Sequence, residues 1–160
     1  RDAAGTVTSL RYYGLGDREI ATTLSVVLAQ RLVRKLCEKC RKQSPPTDEE
    51  RRWFEMIDVP VPETSWEPVG CQECGQSGYF GRTGVFEVWR PKEEDYHLLL
   101  GGGSERELRD TLAKRDEKHF LADALEKAAS GVTSLGEVQR LNLAGPALSP
   151  KIASIRATPG

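Results

Sequence analysis

The sequence lacks any loop of the kind that binds nucleotide phosphates. No GxxxxGKS or GxxxxGKT pattern occurs among its 160 residues, and no glycine is followed by lysine. The backbone cradle and the lysine that hold the phosphates of ATP are therefore missing from this chain. We expect the chain alone to have no ATPase activity.

Long apolar runs and a large net charge are also absent. The longest mostly apolar stretch, around residues 24–29, contains Ser25 and ends at Gln30, which is too short to span a bilayer. The opening residues, Arg1–Ala3, have no signal-peptide features. A formal net charge of −1 provides no global basic field, so we expect no nucleic-acid partner.

Methionine and histidine are scarce. The only methionine is Met56, so the sequence begins without one, and we expect further functional sequence upstream. His97 and His119 stand among charged residues without a pattern that completes a site, which favours surface or satisfied structural histidines. Residues 93–95, three acids in a row, indicate the first turn of a helix rather than a catalytic pair. We predict no catalytic residue in the chain.

The four cysteines occur only as two CxxC pairs, Cys37 with Cys40 and Cys71 with Cys74. Each pair places two thiols on one tight turn, as a tetrahedral ion requires. In a chain without a secretion signal, this pattern favours metal binding in a reducing cytoplasm over disulfides. Because four thiolates leave no open position, the sequence predicts a structural Zn²⁺ site.

Other interpretations of the cysteines are a redox dithiol, unligated thiols or a chaperone zinc region. A thioredoxin-like CxxC begins a helix after a strand, whereas we predict that Cys37 ends a helix. Residues 71–78 are similar to one CxxCxGxG unit of DnaJ-type proteins, but the first glycine is at position 75 instead of 76.

Apolar periodicity and capping residues predict the first elements. Ile20, Leu24, Val27, Leu28 and Leu32 predict an amphipathic helix over roughly 18–36. A capping box at Thr47–Glu50 opens a helix to about residue 57. Aromatic and β-branched residues over 79–89 predict a short strand or hairpin.

Helices are expected over most of the remaining sequence. We predict one after Pro91, one that begins with a capping box at Ser104–Glu107, and one through 120–128 that Gly131 ends. A further capping box, Ser134–Glu137, begins a last short helix. The glycines at 101–103 can be an anion site or a loop before the Ser104 cap, and acidic Glu105 favours the loop.

Six basic residues form a local cluster around the first cysteine pair. The cluster can contact anionic lipid, a partner or nucleic acid, or it can be a solvated helix end that keeps the cysteines as thiolates, which we favour. Its members are Arg31, Arg34, Lys35, Lys39, Arg41 and Lys42.

Four segments together resemble the secretion and pilus-assembly ATPase family. Residues 28–40, LAQRLVRKLCEKC, resemble the family's AQRLVRxLC helix, and residues 70–87, GCQECGQSGYFGRTGVFE, resemble its GCxxCxxxGYxGRxGxxE segment. Residues 131–138, GVTSLGEV, match its GxTSxxEV phrase, and Arg1–Ala3 resembles the end of its histidine box. The resemblance covers residues 1 to about 142. Glu38 replaces a common proline, and 114–119 lacks a usual glycine.

This resemblance implies a whole protein that is a ring-forming, hexameric ATPase at the cytoplasmic face of a bacterial inner membrane. Its ATP and Mg²⁺ would bind outside this chain. The implied partners are neighbouring subunits of the ring and inner-membrane platform or cytoplasmic-domain proteins of a type II secretion or type IV pilus machine. The implied role of this chain is support of the ring and partner contact.

The expected fold is mostly α with a small β element. We predict the helical end of a RecA-like domain over 1–36, a tetracysteine zinc-binding subdomain over 37–90, a helical C-terminal subdomain over 91–142 and a disordered tail over 143–160. The competing hypothesis is a free-standing zinc-ribbon module that binds nucleic acid or protein. A Walker loop upstream would decide in favour of the ATPase.

Overall fold

A computed structural model describes residues 2–115 and 119–141. The chain divides into two compact units, Arg1–Gln30 with Phe86–His119, and Arg31–Val85 with Phe120–Gly160. Both units are discontinuous in sequence. The expected tail over 143–160 lies outside the described residues.

More residues lie in helices than in strands in the described part of the chain. The elements are α1 (Ala3–Tyr12), α2 (Asp17–Thr23), β1 (Val27–Leu36), β2 (Lys42–Ser44), α3 (Asp48–Met56), β3 (Ser65–Glu67), β4 (Tyr79–Trp89), α4 (Glu93–Leu100), α5 (Glu105–Ala113), α6 (Phe120–Ala129) and α7 (Leu135–Arg140). β1 pairs with β4 in one two-stranded sheet, and β2 pairs antiparallel with β3 in another. A helical chain with a small β element is confirmed.

The first unit packs α1 against α5 and α2 against α4. Its apolar core is formed by Ala3, Ala4, Val7, Ile20, Ala21, Val27, Trp89, Leu99, Leu108 and Leu112. A buried ion pair stabilises this core: both terminal nitrogens of the Arg115 guanidinium donate to Asp95 at 2.6 Å. The indole Nε1 of Trp89 also donates to Asp95, at 3.0 Å. Asp95 is fully buried, so these donors replace its lost hydration.

The second unit packs α6 against α7 and places β3 on both helices. In the β2–β3 sheet, Lys42 lies opposite Glu67 and Ser44 opposite Ser65. The buried apolar residues of this unit include Val33, Leu36, Phe54, Val85, Phe120, Leu121, Leu125, Leu135 and Val138. All four cysteines lie in this unit.

The predicted helix over 18–36 is wrong beyond residue 23. α2 ends at Thr23, Leu24 is extended, and residues 27–36 form β1. Leu28 and Leu32, which we assigned to a buried helix face, are 60% and 56% exposed. From residue 27 to 33 burial alternates with a period of two, because every second side chain of a strand points to the same face. Pairing with β4 decides the conformation of a segment whose apolar spacing also fits a helix.

The strand and the local capping signals are confirmed. Residues 79–89 form β4. Thr47 and Ser104 cap α3 and α5, and Glu50 and Glu107 complete each capping box. Gly131, with φ +73°, follows the end of α6, where the amide of Val132 donates to the carbonyl of Lys127.

The predicted capping box at Ser134–Glu137 forms only in part. Ser134 caps α7 by accepting a hydrogen bond from the amide of Glu137. The carboxylate of Glu137 binds the amide and the guanidinium of Arg34 in β1 instead of the Ser134 amide. An interaction between residues 103 positions apart has therefore replaced the hydrogen bond that would complete the capping box.

No described helix combines the length and the apolar character that crossing a bilayer requires.

Candidate metal centre

The first cysteine pair lies on a turn directly after β1. The amide of Cys37 donates to the carbonyl of Gly78 at 2.9 Å, which joins this turn to the start of β4. Within the turn, the amides of Cys40 and Arg41 donate to the carbonyl of Cys37 at 3.2 and 2.9 Å. These bonds turn both thiols toward the second pair.

The second pair lies on the turn Cys71–Cys74, and the backbone that follows it curls tightly. Gly75 and Gln76 have positive φ, and the amide of Gln76 donates to the carbonyl of Cys71 at 2.8 Å. A side chain at Gly78 would collide with Pro68, since an added Cβ would lie 2.4 Å from the Pro68 Cβ. The turn therefore depends on backbone packing that only glycine permits.

The four sulfur atoms form one compact cluster, all within 4.8 Å of one another. Cys37 Sγ lies 3.9 Å from Cys71 Sγ, Cys40 Sγ lies 3.9 Å from Cys74 Sγ, and Cys71 Sγ lies 3.7 Å from Cys74 Sγ. A tetrahedral zinc ion with metal–sulfur bonds of about 2.3 Å requires sulfur separations of about 3.8 Å. The cluster fits such an ion. All four are free thiols, too far apart for disulfides.

Backbone amides donate to two of the sulfurs. The amide of Gly70 donates to Cys40 Sγ, and the amides of Cys71 and Gly78 donate to Cys74 Sγ, each at 3.3 Å. Burial raises the pKa of the Cys40 thiol to about 11. Burial acts in the same direction on Cys74, but the two amide donors outweigh it, and the pKa of Cys74 falls to about 6. Such donors stabilise the thiolates that metal binding requires.

Cys37 directly follows the strand β1, whereas we predicted that it ends a helix. After Cys37 the chain forms a turn and then β2, so this CxxC does not begin a helix. The second pair is likewise followed by turns and then β4. Neither pair has the strand-to-helix placement of a thioredoxin-like motif.

The basic cluster is not a solvated helix end, and its three arginines have intramolecular partners. The Arg31 guanidinium donates to the carbonyl of Leu141 at 2.7 Å and lies 5.3 Å from the centre of the Phe120 ring. Arg34 and Arg41 also contact the last two helices or the connection between them. Sequence reasoning missed these roles because the partners lie about 100 residues away.

The remaining candidate residues lie in the first unit. Ser104 caps α5, as the loop interpretation of 101–103 requires. Residues 93–95 form the first turn of α4, and the buried Asp95 in that turn pairs with Arg115. His97 is exposed, but His119 is half-buried, and its Nε2 has no hydrogen-bond partner among the described residues.

The family described as Type II/IV secretion system protein matches residues 1–140. The chain belongs to this family. The family resemblance carried by the two cysteine segments and the GVTSLGEV phrase is confirmed. Membership covers nearly all of the chain that the structure describes.

Individual relatives include both pilus and secretion proteins. The chain is 36% identical over 143 residues to the Type IV pilus assembly ATPase PilB of Acinetobacter baylyi, which covers 88% of the chain and 24% of the relative. It is 35% identical over 139 residues to the Type II secretion system protein E of Aeromonas hydrophila, which covers 87% of the chain and 27% of the relative. The chain therefore spans about a quarter of the length of these relatives.

Proposed function

We propose that this chain is the zinc-binding C-terminal region of a motor ATPase for type II secretion or type IV pilus assembly. The observation that supports the proposal most directly is the cluster of four cysteine sulfurs, all within 4.8 Å of one another. A four-thiolate shell has no open position for water or substrate, so the metal would be structural. Its role is to join the turn after β1 to the turn before β4.

The chain's residues prepare this site through backbone geometry. Cys37, Cys40, Cys71 and Cys74 supply the four thiolates, and the amides of Gly70 and Gly78 donate to sulfur. Zn²⁺ bound there contributes four bonds between segments about 30 residues apart in sequence. Folding of this small element would then depend on metal, since its own apolar core is small.

The role in the whole protein is a further part of the proposal. Residues 1–36 would end a RecA-like domain, 37–90 would form the zinc subdomain, 91–142 would form a helical C-terminal subdomain, and 143–160 would be a tail. ATP and Mg²⁺ would bind upstream. The chain would support a hexameric ring at the cytoplasmic face of the inner membrane and contact platform proteins. Relatives named as ATPases, of which the chain spans only a part, support this view.

Metal analysis combined with thiol titration tests the zinc site. We expect one zinc per chain and thiols that react only after a chelator is added. Cys71→Ser should lower the zinc content and weaken the order of residues 37–90, whereas Gln72→Ser, an exposed change in the same turn, should not. Four freely reactive thiols in a metal-replete chain, with residues 37–90 still folded, would refute the site.

An activity measurement tests the assignment to a non-catalytic region. The purified chain should hydrolyse ATP no faster than a buffer control, because it lacks the phosphate-binding loop. ATP turnover that survives repurification and rises in proportion to chain concentration would contradict this assignment.

A further inference from the structure

The connection between α6 and α7, residues 130–134, is hydrogen-bonded to the segment that carries the first cysteine pair. The Arg41 guanidinium donates to the carbonyl of Gly131 at 2.6 Å, and the amide of Leu36 donates to the carbonyl of Val132 at 2.9 Å. The hydroxyl of Thr133 donates to the carbonyl of Arg34 at 2.8 Å. Three consecutive residues of the connection are therefore fixed to the chain around Cys37 and Cys40.

The first turn of α7 is held by a second group of contacts. Glu137 accepts hydrogen bonds from the amide of Arg34 at 3.0 Å and from its guanidinium at 2.7 Å. The side chain of Glu137 is only 9% exposed, whereas that of Arg34 is 39% exposed, so the carboxylate side of this ion pair is shielded from water and the guanidinium side is partly open to it. The Arg34 guanidinium also lies 4.0 Å from the centre of the Tyr79 ring, and the Tyr79 hydroxyl is 2.8 Å from Ser134 Oγ.

These contacts come from positions next to the cysteines. Leu36 precedes Cys37, Arg41 follows Cys40, and Tyr79 follows Gly78, whose amide donates to Cys74 Sγ. A peptide unit is rigid, so a shift of a ligand residue moves the amide or carbonyl of its neighbour. The backbone positions that place the sulfurs also place the groups that hold residues 130–137.

We propose that metal binding at the four cysteines is coupled to docking of the α6–α7 connection and α7. This inference rests on the proposed zinc site. With metal bound, the two cysteine turns are fixed together, and Arg34, Leu36, Arg41 and Tyr79 are held in the arrangement that residues 130–137 contact. Loss of metal removes that constraint and releases residues 130–141. The helix α6 remains formed, because six of its side chains are buried and five of these are apolar.

Coupling between two sites is reciprocal, which gives the proposal a strict consequence. If zinc strengthens docking by a given factor, then docking strengthens zinc binding by the same factor. A substitution on α7 that weakens docking must therefore lower zinc affinity, although it touches no ligand. A region that is merely stabilised by its own packing would show no such effect.

Hydrogen exchange measured on the whole chain tests the first direction. Amides of residues 131–141 should exchange at least about tenfold faster in the chelator-treated chain than in the zinc-loaded chain. Amides in α5, which belongs to the other compact unit, serve as the internal reference. Equal protection of residues 131–141 with and without zinc would overturn the coupling.

Zinc competition with a chelator of known affinity tests the reverse direction. Glu137→Gln replaces the carboxylate that binds Arg34, and we expect zinc affinity to fall about tenfold. Glu55→Gln makes the same change in charge on the exposed face of α3 and should leave zinc affinity unchanged. Tyr79→Phe, which removes one hydroxyl, provides a milder variant if Glu137→Gln does not fold.

The results of these two experiments distinguish a failure of the coupling from a failure of the zinc site. Stoichiometric zinc in the unmodified chain, with equal affinity in Glu137→Gln and Glu55→Gln, would overturn the coupling and leave the proposed function standing. Failure of the unmodified chain to retain zinc would overturn both. The coupling would be supported if zinc affinity fell in Glu137→Gln and Tyr79→Phe but not in Glu55→Gln. Faster hydrogen exchange of residues 131–141 in the metal-free chain would support it as well.

Discussion

Gly131 lies directly against the indole ring of Trp66. A Cβ built at Gly131 would lie 2.8 Å from ring atoms of Trp66, closer than real Cβ atoms approach carbon. The indole Nε1 also donates to the carbonyl of Ala129 at 3.2 Å, and the Arg41 guanidinium lies 4.8 Å from the ring centre. Gly131 therefore has two roles, since it ends α6 and also packs against the Trp66 side chain of β3.

Gly131→Ala should destabilise the second unit more than Gly81→Ala does. Both glycines have positive φ, +73° and +77°, and each alanine should cost about 1–2 kcal/mol for that conformation. Only Gly131→Ala also forces the Trp66 ring to move, which should add about 1–3 kcal/mol. Urea unfolding followed by Trp fluorescence measures the difference. Equal losses in the two variants would contradict the observed contact.

Gly78→Ala should weaken metal binding, because its Cβ would collide with Pro68. The collision shifts the amide that donates to Cys74 Sγ. Gly75→Ala, also at positive φ but with nothing within 4 Å of its Cβ, is the matched control. We expect a larger loss of zinc affinity for Gly78→Ala in chelator competition. The geometry of the turn would be wrong if Gly75→Ala had the larger effect.

Asp58→Gly should stabilise the chain by about 0.5–1 kcal/mol. Asp58 follows α3 with φ +55°, and the amides of Asp58 and Val59 donate to the carbonyls of Glu55 and Phe54, so this residue occupies the position where glycine is preferred. Asp48→Gly at the first residue of the same helix should have the opposite sign, since it removes a favourable charge and adds backbone entropy. Thermal unfolding of both variants shows whether the two stability changes have these opposite signs.

Asp95→Asn should destabilise the first unit strongly. The substitution leaves the buried Arg115 without its buried carboxylate, and breaking such a pair costs about 3–5 kcal/mol. Glu94→Gln removes a second carboxylate that binds Arg115, but the Glu94 side chain is 63% exposed, and its loss should cost less than about 1 kcal/mol. Denaturant unfolding compares the two variants. Similar losses of unfolding free energy in the two variants would show that burial of an ion pair does not determine its contribution to stability.

Acid should destabilise the unmodified chain partly through Asp95. Burial alone would raise the pKa of this carboxyl, but Arg115 and the donors at Lys92 and Trp89 outweigh burial, and the pKa is lowered. A carboxyl with a lowered folded pKa stabilises the fold above its unfolded pKa of about 3.9, and this contribution disappears as the pH falls toward the folded pKa. Asp95→Asn should therefore lose less stability than the unmodified chain when unfolding is measured from pH 5 downward. If the unfolding free energies of the two proteins fell in parallel with pH, Asp95 would not contribute to the acid sensitivity.

The sequence predicted the helix caps correctly, but it did not predict contacts between residues that are far apart in the chain. The capping boxes at Thr47 and Ser104 depend on residues three positions apart, so their patterns are complete in the sequence. Glu137 has the same spacing from Ser134, yet its carboxylate binds Arg34, 103 residues away. β1 was mistaken for a helix for the same reason, because its partner β4 begins more than 40 residues later.

The clustering of the four cysteines was the most predictable part of the candidate site, because two CxxC pairs leave few chemical alternatives. Their convergence within 4.8 Å agrees with that pattern. The contacts of Arg34, Arg41 and Trp66 with residues 129–137 were not predicted. Cation–ring contacts and bonds to backbone carbonyls have no fixed sequence spacing, so only three-dimensional structure reveals them.

The discontinuity of the second unit has a consequence for its synthesis. Residues 31–85 leave the ribosome before residues 120–141, and the whole of 86–119 is translated between them. All four cysteines have therefore been synthesised before residues 130–137, which are hydrogen-bonded to β1. Chains fold from the N-terminus as they emerge, and contacts between distant segments form late. A nascent chain thus passes through an interval in which all four cysteines are present but residues 130–137, which contact β1, have not yet been synthesised.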